Sequence, residues 1–149
     1  MLPYQRLRAW QACDHLVLEV YRATERFPRH ELYGLTSQAR RAAFSAAANI
    51  AEGSAKRGRR EFRRYLDIAL GSLAELSYTL LLSRKLGLLS DDPWRELDRL
   101  RIQASRLTWA LYDAVREKGT SPGRRTAASD RKSTRLTPVT VKSRMPSSA

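Results

Sequence analysis

Apolar side chains recur along this chain at intervals of three and four, and nowhere alternate in twos over the length of a strand. In the first segment Trp10, Cys13, Val17, Val20 and Phe27 keep that spacing, with Thr24 filling the gap. This is the pattern of a helix with one buried face. Phe27-Pro28 closes it, because proline lacks the donor that the helical ladder needs and restricts the residue before it. The second segment, Leu35–Ala55, is poor in large side chains: QARRAAFSAAANIAEG. Alanine is the best helix former, and its short side chain lets neighbouring backbones come close. Gly53 reads as the left-handed residue after the last turn.

The third stripe is the cleanest. Phe62, Leu66, Ala69, Leu73, Leu76 and Leu80 form a heptad-like seam, flanked by Tyr65, Ile68 and Ser72. Such a helix is expected to touch two neighbours and to stop at Gly87. In SDDPW, Asp92 is the expected N-cap and Pro93 the first helical residue. Leu97, Leu100, Ala104, Leu107, Leu111 and Ala114 make the fourth stripe, which ends at Gly119. Four amphipathic helices of ~20–30 residues with short connections predict an all-α fold, an antiparallel up-and-down four-helix bundle over residues 1–119.

From Thr120 the periodicity is gone. Residues 120–149 are rich in Ser, Thr and Pro and hold seven basic residues against one acid, the composition of a disordered basic tail. Asp130 to Leu136 reads as a translation of GATCGGAAGAGCACACGTCTG, a sequencing-library adapter. Ser143 to Ala149 reads as TCTCGTATGCCGTCTTCTGCT, the far end of the same oligonucleotide. Residues 130–149 are therefore expected to be a translated adapter, and are set aside from fold reasoning.

That changes the charge balance. The whole chain carries 28 Lys+Arg against 15 Asp+Glu, a net +13. Residues 1–119 hold 21 and 14 of these, a net +7. The bundle is still basic, and a polyanionic partner fits it, nucleic acid before an anionic membrane. One cysteine, Cys13, cannot form an internal disulfide and suits a reducing cytoplasm; on a core face it is a structural thiol. Arg6, Arg8, Asp14 and Glu19 interrupt the N-terminal apolar residues, so no targeting segment is expected. No run of ~18 apolar residues appears, which predicts no transmembrane helix. A soluble cytoplasmic protein is the expectation.

Several ordered motifs carry a family likeness. They are Val20-Tyr21, Phe27-Pro28, Glu31, Tyr33-Gly34-Leu35-Thr36-Ser37-Gln38, Arg40-Arg41-Ala42-Ala43, Ser45 and Ala48-Asn49-Ile50-Ala51-Glu52-Gly53. Phe62, Leu66, Ile68-Ala69-Leu70-Gly71-Ser72, Glu75-Leu76 and Leu86-Gly87 continue them. Over about Leu7 to Val115 the chain resembles the bacterial ribosomal-RNA intervening-sequence proteins, relatives of the accessory protein of diversity-generating retroelements. The resemblance implies four-helix bundles with a basic surface in a ring-like, usually pentameric, homo-oligomer. For the retroelement relative it implies binding to a reverse transcriptase and to nucleic acid. The family commonly has Ile-Pro where Ala46-Ala47 stand here, so helix two is expected to be straighter.

Among candidate sites, six basic residues fall within nine positions: Lys56, Arg57, Arg59, Arg60, Arg63 and Arg64. On a helix starting near Gly58, Arg59 and Arg63 share one line and Arg60 and Arg64 the next, away from the seam. Guanidinium forks suit phosphate oxygens and give sequence-independent, salt-sensitive binding. Basic residues near a helix N-terminus also oppose the macrodipole, which argues that stability did not place them. The competing readings are a solvated face, with Asp67 pairing Arg63, and an acidic protein partner. Arg40-Arg41 is a weaker supporting signal, with one of the two expected to reach a carboxylate such as Glu75 or Glu52.

Asn49, Glu52, Ser72 and Glu75 lie on or beside core faces and are expected to form a polar network fixing register. The aromatics Tyr33, Phe44, Tyr65, Tyr78 and Trp109 are expected in the core or a subunit interface rather than stacking on bases. His15, His30 and Cys13 have no metal-ligand spacing, and GSAKRGRR has no preceding strand and no P-loop spacing. No metal, cofactor or catalytic constellation is expected, and no enzyme. The leading function is nucleic-acid binding by a homo-oligomer; the alternative is a scaffold docking onto an enzyme such as a reverse transcriptase.

Overall fold

A computed structural model describes residues 1–116 of the chain. The expectations for residues 117–149 lie outside the described residues. Those described form four α-helices: α1 (Arg8–Thr24), α2 (Leu35–Ser54), α3 (Arg59–Lys85) and α4 (Asp91–Ala114). Short 3-10 turns occupy Pro3–Arg6 and Arg29–Glu31. There is no strand among the described residues, so the fold is all-α. Each helix packs closely on two others, α1 on α2 and α4, and α3 on α2 and α4. The result is a four-helix bundle with one core between its members.

The stripes define that core with small shifts. Cys13, Leu16, Val20, Ile50, Leu66, Leu73, Leu76, Leu80, Leu97 and Leu100 are buried. Leu16 takes the central position in α1, and Val17 packs at the edge with Trp10. Ala39, Ala42, Ala43, Ala46 and Ala47 are buried in α2, so the alanine-rich face does allow close approach. Helix α2 runs unbroken through Ala46-Ala47. Six hydroxyl residues are buried, Thr36 at the start of α2 and five within the helices: Thr24, Ser72, Thr79, Ser83 and Thr108. These five each donate to the carbonyl four residues back, at 2.7–3.0 Å. A hydroxyl satisfied within its own helix costs little to bury.

Two glycines act differently from one another. Gly87 has φ +74 and ends α3. Its N–H donates to the Arg84 carbonyl at 3.0 Å, and the Leu88 N–H to Ser83 at 2.9 Å, the paired bonds of a Schellman motif. Gly53, by contrast, is not a left-handed stop: it is buried inside α2. A Cβ there would stand 2.6 Å from Tyr65 Cβ and 3.0 Å from Phe62 Cδ2. The expectation of a C-terminal cap is corrected to a contact glycine where α2 meets α3.

The helix starts also differ from expectation. Ser90, not Asp92, is the N-cap of α4, which places Asp91 and Asp92 in the first turn and Pro93 third. Pro93 is tolerated there because the first N–H groups of a helix have no intrahelical acceptor. At α2 the Glu31 carboxylate accepts from the Leu35 N–H at 2.9 Å and so caps the helix from the preceding turn. Helix α3 is long and apolar enough, by length and composition, to cross a membrane, contrary to the expectation that no segment was. Its outward positions carry Gly71, Ala74 and Tyr78 with Glu75 the one exposed charge among them, and a little under half of the apolar stretch is buried against the other helices.

Candidate nucleic-acid interface

The basic cluster straddles the link from α2 to α3 and the first turns of α3. Gly58, with φ +88, turns the chain into α3, and no side chain caps the helix. The arginines there do not all project together. Arg57 and Arg60 are exposed and have no ion-pair partner among the described residues. Arg59 donates to the Arg116 carbonyl at 3.1 Å, and Arg64 pairs with Glu61 at 3.8 Å. Lys56 pairs with Glu52 at 3.5 Å and lies 5.2 Å from the Tyr65 ring centre. Tyr65 first, and Glu52 after it, hold the Lys56 ammonium above its ordinary range.

Arg63 is the exception, being half-buried. Its guanidinium lies 4.3 Å over the Tyr112 ring of α4. Its Nε is buried and has no hydrogen-bond acceptor. The expected pair with Asp67 does not form; the ring of Tyr112 draws the guanidinium toward α4 instead. Arg60, Arg63, Arg64, Asp67 and Tyr112 line an open cleft of about 420 Å³. Asp67 is the one carboxylate in that lining. A guanidinium held on an aromatic face has fewer rotamers to lose on meeting an anion. The Nε–H, buried and without an acceptor, shows that the ring and not an ion pair holds Arg63.

Arg40 and Arg41 do not join this cluster. They sit one helix turn into α2, some 13 residues or ~20 Å along the axis from its other end. Neither reaches Glu75 or Glu52. Arg40 Nε donates to Thr24 Oγ1 at 2.9 Å and its guanidinium stacks 4.5 Å over Tyr21. The expected carboxylate is replaced by a hydroxyl and a ring because α1, not α3, lies beside Arg40. Arg41 is exposed.

The four polar residues divide in two. Ser72 Oγ lies 2.8 Å from Ser45 Oγ, bridging α3 and α2. Asn49 Nδ2 donates to the Ser45 carbonyl at 2.7 Å and to its hydroxyl at 3.0 Å. Ser45 thus links Asn49 to Ser72. Glu52 and Glu75 stay outside, exposed, with Glu52 turned to Lys56. Tyr33, Phe44, Tyr78 and Trp109 are exposed, at 93, 61, 66 and 53%. They do not belong to the core, because each falls on the outward side of its element; Tyr65 is half-buried.

A second set of arginines escaped the sequence reasoning. Arg8, Arg95, Arg99 and Arg106 line an open groove of about 590 Å³ with Trp94 and Ile102. The helical spacing of Arg95, Arg99 and Arg106 opposite Leu97, Leu100 and Ala104 was legible, but interleaved acids made the face look ordinarily solvated. Among the described residues no group of three or more His, Cys, Asp or Glu side chains is placed to hold a metal ion. Burial pushes the Cys13 thiol up to about 12, with the Thr108 hydroxyl pulling weakly the other way.

A family model for the 23S rRNA-intervening sequence proteins matches residues 5–110. The chain belongs to this family. A crystal structure described as a protein of unknown function from the S23 ribosomal protein family of Bacteroides thetaiotaomicron VPI-5482 has a similar fold, with a TM-score of 0.63 at 18% identity. The match covers 70% of this chain and 97% of that one. No curated protein matches the chain. Neither the family description nor the structural neighbour names an enzymatic activity for this intervening-sequence family member.

Proposed function

We propose that this intervening-sequence protein is a non-enzymatic, cytoplasmic nucleic-acid-binding bundle that contacts RNA or DNA phosphates through the start of α3. Arg57, Arg59, Arg60, Arg63 and Arg64 carry the contacts, with Lys56 beside them and Arg41 as a remote contributor. The observation that supports this best is Arg63, clamped on Tyr112 with a buried, unpartnered Nε in a cleft shared with Arg60 and Arg64. Consecutive helices in this reading run antiparallel, as their short links favour, and the bundles assemble into a ring-like homo-oligomer, pentameric as the family resemblance implies. A ring repeats the cluster around its rim and raises avidity for a long polyanion.

The test is titration of the full chain into labelled RNA and DNA at several salt concentrations, beside a variant with Arg59, Arg60, Arg63 and Arg64 changed to Gln. The expected result is weaker binding and a salt slope shallower by about one for each phosphate that the variant no longer neutralises. Equal affinity and slope in the two chains would remove the cluster from the interface.

A second reading rests on a different surface. Tyr21, Leu32, Tyr33, Arg40, Arg41 and Phe44 line a cleft of about 390 Å³ whose aromatic members are largely exposed. Aromatic and arginine side chains together are characteristic of protein-docking centres. This favours a scaffold that engages an enzyme such as a reverse transcriptase. Docking there is expected to be insensitive to salt and to fail on Tyr33→Ala with Phe44→Ala, whereas phosphate binding at α3 is expected to survive that change.

A further inference from the structure

We propose that the outer face of α4 is a track for single-stranded nucleic acid, in which Arg95, Arg99 and Arg106 hold phosphates and Trp109 stacks on a base. The inference rests on the nucleic-acid reading above; it adds the form of nucleic acid and a second set of contacts. At 100° per residue, positions 95, 99, 102, 106 and 109 share one narrow stripe, opposite buried Leu97, Leu100 and Ala104. At 1.5 Å per residue, Arg95 and Trp109 stand ~21 Å apart along the axis, with two arginines between.

Charge on this face favours an anion. Arg8 and Arg106 have no ion-pair partner among the described residues. Asp98, the one acid lining the groove, is already held by Arg101 at 2.8 Å. Arg95 and Arg99 pair with Asp92 at 3.6 Å and Glu96 at 2.6 Å, but all four side chains are exposed. Exposed pairs contribute little, so exchanging a carboxylate for a phosphate costs little.

Trp109 decides the strand form. Its indole is half exposed at the end of the arginine stripe. One edge rests against Tyr112 at 5.4 Å between centroids, and Tyr112 in turn carries the Arg63 guanidinium at 4.3 Å. The α4 stripe therefore meets the α3 cluster through two aromatic rings, with Asp113 exposed on the same line one turn beyond Trp109 and Asp67 in the α3 cleft. Alternating arginines and open rings is how proteins hold single strands, with phosphates on charge and bases on π-faces. A duplex keeps its base faces inside the stack and offers the indole nothing.

The test uses the full chain and two fluorescent probes, an oligouridylate about one OB-fold footprint long and a duplex RNA of equal length. Trp109→Ala is expected to weaken single-strand binding roughly 5- to 100-fold. Duplex affinity and the salt slope should stay within about twofold of wild type, because the indole carries no charge. Trp109→Phe should restore most of the affinity, and Arg106→Gln should lower the salt slope by about one. Equal weakening on both probes, or none on either, overturns the proposal. So does a Trp109→Ala chain that sediments as a smaller species with wild-type affinity, because a second copy then covers the indole. If only the α3 arginine variant loses binding, the α3 interface stands and the α4 track falls. If the wild-type chain binds neither probe, both fall.

Discussion

Replacing Gly53 by alanine sets two physical effects of opposite sign against each other. Gly53 has ordinary helical geometry inside α2, so propensity alone favours alanine by ~1 kcal/mol. The structure argues the reverse. The added Cβ would meet Tyr65 Cβ at 2.6 Å, where ordinary contact begins at 3.4 Å. A Cβ moves only with its backbone, so no rotamer change relieves the clash; α2 and α3 must separate by roughly 1 Å, which opens a core packed to crystal density. Ala46, Ala47, Leu66 and Ala69 on either side lose their close fit. Overpacking of this kind costs ~1–3 kcal/mol, leaving a net loss of up to about 2 kcal/mol after the propensity gain. At about 4 °C per kcal/mol for a domain of this size, the expected fall in Tm is up to about 8 °C.

Gly71 is the control. It is also helical, in α3, but exposed, and an added methyl group there would have nothing within 4 Å. Gly71→Ala is expected to stabilise by ~0.5–1 kcal/mol, a rise of about 2–4 °C. Both chains should be melted by circular dichroism at one protein concentration, since assembly makes Tm concentration-dependent. Opposite signs support the contact role of Gly53. A Gly53→Ala chain stabilised as much as Gly71→Ala would refute the close approach of α2 and α3 at this point.

Two further outcomes follow from titrating groups. The folded chain holds the Cys13 proton more tightly than the unfolded chain, so the stability from this thiol is complete below about pH 9 and is lost as pH rises toward about 12. The stability advantage of wild type over Cys13→Ala should shrink across that window, and native Cys13 should resist a thiol reagent at about pH 8 until urea unfolds the chain. The Arg84 guanidinium, 2.7 Å from Asp91 in the first turn of α4, holds that carboxylate below its ordinary range. Its stabilisation is present above the ordinary carboxylate value and lost as pH falls through the depressed one, so the melting curves of wild type and Asp91→Asn should converge in acid.

The stripes were legible because burial in a bundle depends on side-chain spacing, and spacing is written directly in sequence. Leu66, Ala69, Leu73, Leu76 and Leu80 needed nothing more. Thr108 and Ser83 were not legible as core, because the acceptor that makes their burial cheap is a backbone carbonyl, which every residue has. Gly53 is ambiguous for a related reason: a glycine near the end of a helical pattern suits both a left-handed stop and a close crossing, and only the neighbour's position separates them. At the candidate site, residue type and helical line were visible for Arg59, Arg60, Arg63 and Arg64. The stack of Arg63 on Tyr112 was not, since it joins residues 49 positions apart on different helices.

The two helix starts of α3 and α4 bear on whether the basic cluster is more than a wet face. Helix α4 begins with charge that suits its dipole, Asp91 and Asp92 following Ser90 in the first turn. Helix α3, like α4, has no side-chain cap bond; it begins at Gly58 with Arg59 and Arg60 in its first turn against Glu61 alone. Positive charge there opposes the macrodipole, and the uncapped N–H groups lack acceptors. One chain thus builds both a favourable and an unfavourable N-terminus, and the unfavourable one carries the arginines. A phosphate at that position would accept from the free N–H groups and neutralise the guanidinium groups at once, correcting both defects with one ligand. Local sequence choices that work against local stability are expected where a binding partner completes the structure. On that argument the full chain should gain thermal stability from polyphosphate in proportion to its affinity, and the variant with Arg59, Arg60, Arg63 and Arg64 changed to Gln should be intrinsically more stable yet gain less. A variant that is less stable than wild type and gains as much would show that these arginines serve the fold and not a ligand.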